Sequence, residues 1–373
     1  MYRYLFVLIA AAAWLSPAWA QISPMQDYEI PNKNPPAAAL ESTKTPVDPP
    51  IQLADQGGFD GKGGLGFGPA GMTGGPGSGF GGIYGMTGPG IGVTWMPNQN
   101  VRGQNADLGF VRQQTSIVVP LWIDGPDKVT FNTGIGTTWF NGNPIFPDSM
   151  RQFPNQIWNV HLGLGYSHMF DNGWLASFST NLGSASDKPF ATIHEVNFGF
   201  MGMLRVPSGE NNAWIFSLMY NPTGELNIPI PGVAYQWVPS ENFSMNIGLP
   251  FMMRWRPMDD WVVSFSYMPV RTIHSKLTWE FDKNWQAYIG WDWISEGAYL
   301  SDRIDNQERL LYYEKHVQAG LRFEASSHLF LDMYGGYAYD RFYFTGKSYS
   351  DRNHDQLDIG DGPYAGFKVT IRY

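Results

Sequence analysis

The last segment of the chain alternates strictly between apolar and polar side chains. From Phe367 to Tyr373, aromatic and aliphatic residues occupy every second position, and Lys368, Thr370 and Arg372 stand between them. Successive side chains of a strand point to opposite faces, so the pattern predicts a strand with one apolar and one polar face. Such a strand separates two different environments.

The first twenty residues have the features of a secretory signal peptide. Arg3 supplies a positive charge, Leu5 to Leu15 form a short apolar segment, and Ala18-Trp19-Ala20 has the small residues of a cleavage site. We expect cleavage after Ala20. The apolar segment is too short for a spanning helix. A retained N-terminal anchor helix is the alternative interpretation.

The composition is typical of an exported membrane barrel. Aromatic residues make up 16% of the chain and charged residues 15%, against about 25% charged in soluble domains. Transmembrane barrels use Trp and Tyr for girdles at both lipid interfaces. The absence of cysteine excludes disulfides, thiolate metal sites and cysteine nucleophiles. The net charge of −9 argues against a nucleic-acid partner.

Residues 21–90 form a segment of unusual composition. Its first part, 21–56, is rich in Pro, Asn, Asp and Ala, and glycine dominates 57–92. Such a segment cannot bury enough apolar area to offset its chain entropy, which predicts a disordered periplasmic tail. Its G-x-G-x-x-G matches neither follow a strand nor open a helix, as nucleotide-binding loops do. A contact between this tail and peptidoglycan or an envelope protein stays open.

Two kinds of connection separate the alternating segments that follow. Seven are tight and rich in turn residues, near positions 125, 171, 209, 241, 259, 283 and 327. The others are often longer and polar: 141–156, 183–189, 221–230, 296–308 and 346–361. Counting back from Tyr373 puts every tight turn on one side. Outer-membrane barrels have short periplasmic turns and longer outer loops.

These features predict an all-β fold: a transmembrane antiparallel up-and-down β-barrel of about 14–16 strands over residues 91–373. A soluble sandwich also alternates and is the alternative, but the signal peptide, the aromatic content and the turn asymmetry favour the barrel. We therefore expect a location in the bacterial outer membrane, in contact with its lipid. We also expect the barrel-assembly machinery to recognise the C-terminal strand, Phe367 to Tyr373.

Alternation also assigns the two faces of the predicted strands. In 285–295, for example, Trp285 and Ile289 share one face and Asp292 lies on the other. His168 and Lys315 are exceptions, polar residues on apolar faces. With the apolar faces toward lipid, twelve charged side chains are candidates to line the pore: Arg112, Glu195, Arg205, Arg254, Arg256, Lys276, Glu280, Asp292, Glu314, Arg322, Asp332 and Lys368. Their mixed signs suit either an ion-pair network or a selectivity surface.

The histidines are not part of any catalytic pattern. His161, His274 and His316 fall on inward faces and His194 lies near a strand start. The chain has no G-x-S-x-G elbow and no H-E-x-x-H helix. We therefore expect no enzymatic activity and no cofactor.

The last long connection is acidic. Its spaced oxygen side chains resemble the start of a calcium loop: Asp351, Asn353, Asp355, Asp358 and Asp361. Gln356 stands in place of the turn glycine and Gly362 in place of the bidentate glutamate. A solvated acidic loop without metal is the expectation.

Six segments carry a resemblance to known proteins: Asp171–Trp174, Gly183–Phe190, Arg205–Gly209, Pro231–Tyr235, Asn246–Pro250 and Gly335–Arg341. Together they resemble an uncharacterised family of bacterial outer-membrane β-barrels, a domain of unknown function. The resemblance covers roughly residues 105–373. It implies the barrel fold and the outer-membrane location, and it supplies no substrate.

Two functions follow from this interpretation. The leading hypothesis is a passive channel or a porin-like protein for solute uptake. The alternative is a structural or adhesion barrel that contacts envelope partners and has a blocked lumen. Similarity to porins and fatty-acid transporters is an analogy of fold only.

Overall fold

The computed structural model describes residues 89–268 and 272–371. They form one antiparallel sheet in which consecutive strands pair and the last long strand pairs with the first. The predicted signal peptide and nearly all of the predicted tail lie outside the described residues. Within these two ranges, no helix is long and apolar enough to cross a membrane.

The closed sheet is a barrel of sixteen strands, at the upper limit of the predicted number, which confirms the predicted fold class. The barrel strands are β1 (Gly90–Asn100), β2 (Asp107–Asp124), β3 (Asp127–Asn141), β4 (Gln156–Met169), β5 (Leu175–Ser186), β6 (Asn197–Pro207), β7 (Ala213–Tyr220), β8 (Ile230–Ser240), β9 (Phe243–Gly248), β10 (Phe251–Met258), β11 (Trp261–Met268), β12 (Thr272–Asp282), β13 (Trp285–Ala298), β14 (Arg309–Ser326), β15 (Leu329–Gly346) and β17 (Gly362–Ile371). A short additional strand, β16 (Leu357–Ile359), pairs with the far end of β15.

The seam between β1 and β17 closes the sheet. Its register runs from Gly90 opposite Thr370 to Trp95 opposite Ala365. The main-chain N–H of Ile371 also donates to the carbonyl oxygen of Pro89 at 2.8 Å. Pairing along this seam satisfies main-chain groups that an open sheet edge would leave exposed.

The two ends of the barrel differ as the sequence predicts. Each of the seven tight turns joins two paired strands; Gly125, between β2 and β3, has a φ of +54°, which suits glycine. We call this end the turn end. The opposite end, the loop end, carries the long connections, among them 142–155, 187–196, 221–229, 299–308 and 347–361.

The outward face of the barrel carries an apolar band. Leu162, Leu164 and Ile289, all within strands, are about half exposed. Aromatic side chains flank the band near strand ends, and Trp261 and Trp279 stack on neighbouring strands with ring centroids 5.8 Å apart. Aromatic residues at the turn end include Trp122, Trp174, Trp214, Trp237, Trp255 and Phe281; those near the loop end include Trp139, Trp158, Phe198 and Tyr267.

Both predicted exceptions to the apolar face point outward and have an acidic partner on the next strand. Lys315 lies 2.6 Å from Asp340 and 4.9 Å from the ring of Trp293. The Nδ1 atom of His168 lies 2.7 Å from Asp127. These carboxylate contacts reduce the free-energy cost of placing a polar group on an apolar surface.

The inward face combines tyrosines with glycines on neighbouring strands. The ring of Tyr288 covers Gly320, and the ring of Tyr334 covers Gly366. A Cβ atom at either glycine would overlap the ring. The tyrosine ring therefore occupies the space that a side chain at the glycine would need. The two neighbouring strands pack closely as a result.

Candidate functional site at the loop end

The loop end of the barrel is crossed by its own main chain. The N–H of Tyr299, just after β13, donates to the carbonyl oxygen of Ala185 in β5 at 2.8 Å. β5 and β13 occupy opposite positions in the ring of strands. A hydrogen bond between them therefore spans the mouth of the barrel.

Side chains strengthen this crossing. Ser301 donates to Asp187 through both its main-chain N–H and its hydroxyl, each at 2.7 Å. Arg303 lies 2.9 Å from Glu195, and both side chains are buried. Burial opposes the charge of Glu195, but hydrogen bonds from Thr192 and Arg303 outweigh it and lower the pKa of Glu195 below its usual value. The connections 187–196 and 299–308 are thus tied by charge and by hydrogen bonds.

A buried ion pair lies across the interior near this end. Two guanidinium nitrogens of Arg112, on β2, contact the two carboxylate oxygens of Glu296, on β13, at 3.2 and 3.1 Å. Arg112 also donates to Thr138 at 2.9 Å. Four strands separate β2 from β13 along the wall, and neither side chain is more than 1% exposed. A bidentate pair of this kind fixes both groups in orientation.

An apolar cluster fills the space beside this ion pair. The connection 142–155 folds inward and inserts Phe146 and Phe153 between the walls. Phe153 lies 5.0 Å from Phe140 of β3 and 4.9 Å from Tyr343 of β15, measured between ring centroids. All four rings are buried. Because three strands separate β3 from β15 along the wall, this contact joins two parts of the wall through the interior.

Asp355 anchors two of the long connections to each other. Its carboxylate accepts hydrogen bonds from the main-chain N–H groups of Asp148 and Ser149 at 3.0 and 2.7 Å. It also accepts one from the Thr345 hydroxyl at 3.0 Å. Its side chain has no exposed surface, and Arg151 lies 3.6 Å away. The expectation of a solvated acidic loop is therefore wrong at this residue. Burial opposes its charge, but these hydrogen bonds lower the pKa of Asp355 below its usual value.

Three potential metal ligands meet at this anchor. Ligand atoms of Asp148, His354 and Asp355 lie within 4.8 Å of one another. The carboxylate oxygens of Asp355 already accept hydrogen bonds from the neighbouring connection. The cluster is therefore accounted for as a contact between loops.

A second charged network lies on the inward faces of β12 to β15. The imidazole of His316 contacts Asp292 at 2.9 Å and Glu314 at 3.5 Å. Arg341 lies 3.4 Å from Glu314, and His274 lies 3.0 Å from Asp292. His316 and Glu314 have no exposed surface. Charges of both signs thus neutralise one another within the wall.

The structure places eleven of the twelve predicted charged residues at inward strand positions. Several pair with each other, as in Arg256 with Glu280 at 3.1 Å and Arg322 with Asp332 at 2.6 Å. Arg205 donates to Gln236 at 2.9 Å. The remaining positions are Lys276 over the ring of Tyr288, Arg254 in register with Ser244 and Ser264, and Lys368 opposite Asp332.

Glu195 is the predicted residue that departs from this arrangement. It lies in a short 3-10 turn, Ile193–Glu195, of the connection between β5 and β6, and its partner is Arg303. Several important residues of the loop end escaped prediction: Arg151, Glu296, Arg303, Glu308 and Arg341. Alternation from Asp292 could have placed Glu296 on the inward face, but no sequence signal pairs it with Arg112.

The strand pairing defines the chain as a closed antiparallel β-barrel. No family model matches the chain, and no curated protein matches it. Membership of the family that its sequence resembles therefore stays a prediction.

Two solved structures are similar to the chain in part. One is the beta domain of the Bordetella autotransporter Brka, with 9% identity, a TM-score of 0.29, and 75% of this chain and 98% of that chain covered. The other is OccK7 of Pseudomonas aeruginosa, with 11% identity, a TM-score of 0.34, and 75% and 96% covered. Both TM-scores are low, and the barrel architecture rests on the strand pairing of this chain.

Proposed function

We propose that the chain is an integral barrel of the bacterial outer membrane with its turn end in the periplasm. The outward band of half-exposed Leu, Ile and Val supports this proposal, as do the aromatic side chains near both strand ends. A soluble protein does not expose apolar surface around its whole circumference. Aromatic girdles of this kind lie at the two interfaces of a membrane barrel.

Within that membrane, we propose a structural or interaction role for a barrel that is closed at its loop end. The observation that carries this proposal is the hydrogen bond from Tyr299 to Ala185 across the mouth. The Arg112–Glu296 pair and the ring of Phe153 make two further contacts between separate parts of the wall. A solute that arrives from the loop end meets this closure, so the loops are the part of the barrel that is available to partners outside the cell.

The second candidate function is solute passage through the barrel after the loop end opens, as in the channel hypothesis. It is favoured by the polar and charged inward wall on β10 to β12, which carries Arg254, Arg256 and Lys276. Charged walls set solute preference in pores.

Conductance of the purified protein in a planar bilayer tests these two candidates. The wild type should produce no discrete channels. The second protein to test replaces residues 144–153 and the connection 299–308 by short Gly-Ser linkers and carries Arg112→Ala and Glu296→Ala. Continued silence in this variant supports the structural role, and discrete channels support solute passage.

A matched control uses an exposed ion pair. Lys347 and Asp305 lie 2.6 Å apart on the loop surface and are about half exposed. Replacing both with Ala should leave the bilayer as silent as the wild type does. Discrete channels in the wild type itself would overturn the closed barrel.

We also propose that the barrel-assembly machinery recognises the C-terminal segment Phe367 to Tyr373, whose first five residues end β17. Its outward side chains, Phe367, Val369 and Ile371, form an apolar row beside the seam. In cells, Phe367→Asn should reduce the amount of assembled barrel, while folding from urea into detergent should stay close to normal. Equal loss in both assays would show a stability defect instead of lost recognition.

A further inference from the structure

The inward face of β11 is lined by short side chains. They are those of Val262, Ser264 and Ser266, which alternate with the outward residues of this strand. In strand register, Ser264 lies between Arg254 of β10 and Lys276 of β12. Because the flanking side chains are long and those of β11 are short, the wall is recessed here, and we call this recess the β11 groove.

The β11 groove opens to the interior of the barrel. Arg254, Ser264 and Lys276 each keep part of their surface exposed. Ser264 lies three residues beyond Trp261, the first residue of β11, and thus roughly 10 Å along the strand from the turn end. The turns between described strands are tight at this end. A ligand that enters from the turn end can therefore reach the groove without crossing the contacts at the loop end.

Positive charge dominates the strands that flank the groove. Away from the turn residues, the inward faces of β10 and β12 carry three cations, Arg254, Arg256 and Lys276. They carry one carboxylate, that of Glu280, and β11 between them has no charged residue. Arg256 contacts Glu280 through both terminal guanidinium nitrogens, at 3.1 and 3.4 Å. That pair balances its own charge, so the three strands together keep a positive net charge.

The carboxylate of the next strand, that of Asp292 on β13, is held by other groups. Three side chains contact it at 2.9 to 3.0 Å: His274, His316 and Gln318. In register, Lys276 lies opposite Gly290, two residues from Asp292, and its ammonium group is 4.2 Å from the centre of the Tyr288 ring. Because these contacts occupy the carboxylate of Asp292, the β11 groove keeps its positive charge.

Two cations on either side of a short hydroxyl side chain can hold one small anion. The strands of Arg254 and Lys276 lie about 10 Å apart, with β11 between them. A guanidinium group binds a carboxylate or a phosphate through two parallel hydrogen bonds, and an ammonium group adds a point charge. The hydroxyl of Ser264 is a further donor at the floor of the groove.

We propose that the β11 groove binds small anionic solutes that carry carboxylate or phosphate groups, with Arg254 and Lys276 beside the anion and Ser264 below it. This inference rests on the outer-membrane barrel proposed above and names the ligand class of the charged wall in the second candidate function. Because the groove is reached from the turn end, anions of the periplasm can bind whether or not the loop end opens.

Calorimetric titration of the full-length protein in detergent tests the anion site. The probes are succinate and inorganic phosphate, and succinamide is the neutral match to succinate. At least one of the two anions should bind saturably, and succinamide should not bind. Arg254→Gln and Lys276→Gln should each weaken anion binding about tenfold, because each removes one charge-assisted contact. Lys276→Arg, which keeps the positive charge, should stay within about threefold of the wild type.

Two further variants separate binding in the groove from charge elsewhere and from the fold. Ser264→Leu keeps both cations but fills the floor, and it should also weaken binding about tenfold. Lys347→Gln, at a half-exposed loop side chain, should bind as the wild type does. Gel mobility of the folded barrel should be the same in all these proteins.

Two results would overturn the anion site: no binding of either anion by the folded wild type, or wild-type affinity in both Arg254→Gln and Lys276→Gln. Neither result would bear on the outer-membrane location or on the closed loop end. Membrane fractionation and conductance measure those two properties independently of anion binding.

Discussion

Tyr299 and Ala185 are joined by a 2.8 Å main-chain hydrogen bond, although their strands stand on opposite sides of the barrel. A wide barrel cannot bring opposite walls so close unless the connections lean over its mouth. The connection 299–308 does so, and Ser301 and Arg303 fix it to the connection 187–196. Movement of either connection therefore has to break several contacts at once, which makes the link between the two connections cooperative.

The buried pair between Arg112 and Glu296 should be sensitive to loss of one partner. Arg112→Ala leaves the Glu296 carboxylate buried without its bidentate contact, and we expect the free energy of unfolding to fall by about 3–5 kcal/mol. Urea unfolding in detergent, followed by gel mobility of the folded barrel, measures the change. Lys347→Ala, which breaks an exposed pair, should cost less than about 1 kcal/mol. Arg112→Met with Glu296→Leu should recover most of the loss, and no recovery would contradict this explanation.

The ring of Tyr334 over Gly366 predicts a steric cost for any side chain there. Gly366→Ala should destabilise the barrel by about 1–3 kcal/mol, because its Cβ would overlap the ring. Gly335→Ala is the matched control, since its Cβ would make an ordinary contact at 3.4 Å. In a Tyr334→Ala background, the cost of Gly366→Ala should shrink, which a double-mutant cycle detects. An unchanged cost would show that the ring is not the obstacle.

The outward apolar band predicts a strong response to charge. Leu164→Arg should lower the unfolding free energy in lipid vesicles by about 2–4 kcal/mol, because the guanidinium enters hydrocarbon. Ile304→Arg, in a loop at a side chain that is 85% exposed, should change it by less than about 0.5 kcal/mol. Equal effects at both positions would speak against a membrane around the band.

The anchor at Asp355 predicts a loss of stability in acid. Because its pKa in the folded protein lies below the ordinary value of 3.8, the ionised form stabilises the fold. This contribution is fully present above about pH 4 and is lost as the pH falls through the lowered value. The thermal unfolding midpoint, measured from pH 6 to pH 2, should therefore drop less steeply for Asp355→Asn than for the wild type. Asp302→Asn, at an exposed loop residue, should keep the wild-type slope, and an identical slope in all three proteins would contradict the anchor role.

Alternation and turn chemistry were enough to predict the barrel. The tight turns, the long connections and the outward faces of β4, β12, β13 and β14 follow from side-chain period and from Gly, Pro, Asn and Asp at the turns. Even the exceptions were visible: Lys315 and His168 break the apolar faces, but the acids that pair with them lie on other strands. Alternation along a strand indicates which face a residue lies on, but it does not identify the residue with which it forms an ion pair.

The contacts at the loop end could not be predicted in the same way. Phe153, Arg303 and Asp355 lie in connections, where no period assigns a direction. Their partners come from strands or connections far away in sequence, as with Asp355 and Ser149. Glu195 shows the same limit, since it was assigned to a strand and belongs to a turn that another connection covers. The direction of these side chains is set by tertiary packing between segments that are distant in sequence.

The seam between β1 and β17 has a consequence for biogenesis. It joins Gly90 to Thr370, so the wall is complete only when the earliest and the latest strands of the barrel have both been delivered. Chains interrupted by premature termination would keep two unsatisfied edges and could not insert as sealed cylinders. The open edge would therefore distinguish an unfinished product from a complete barrel.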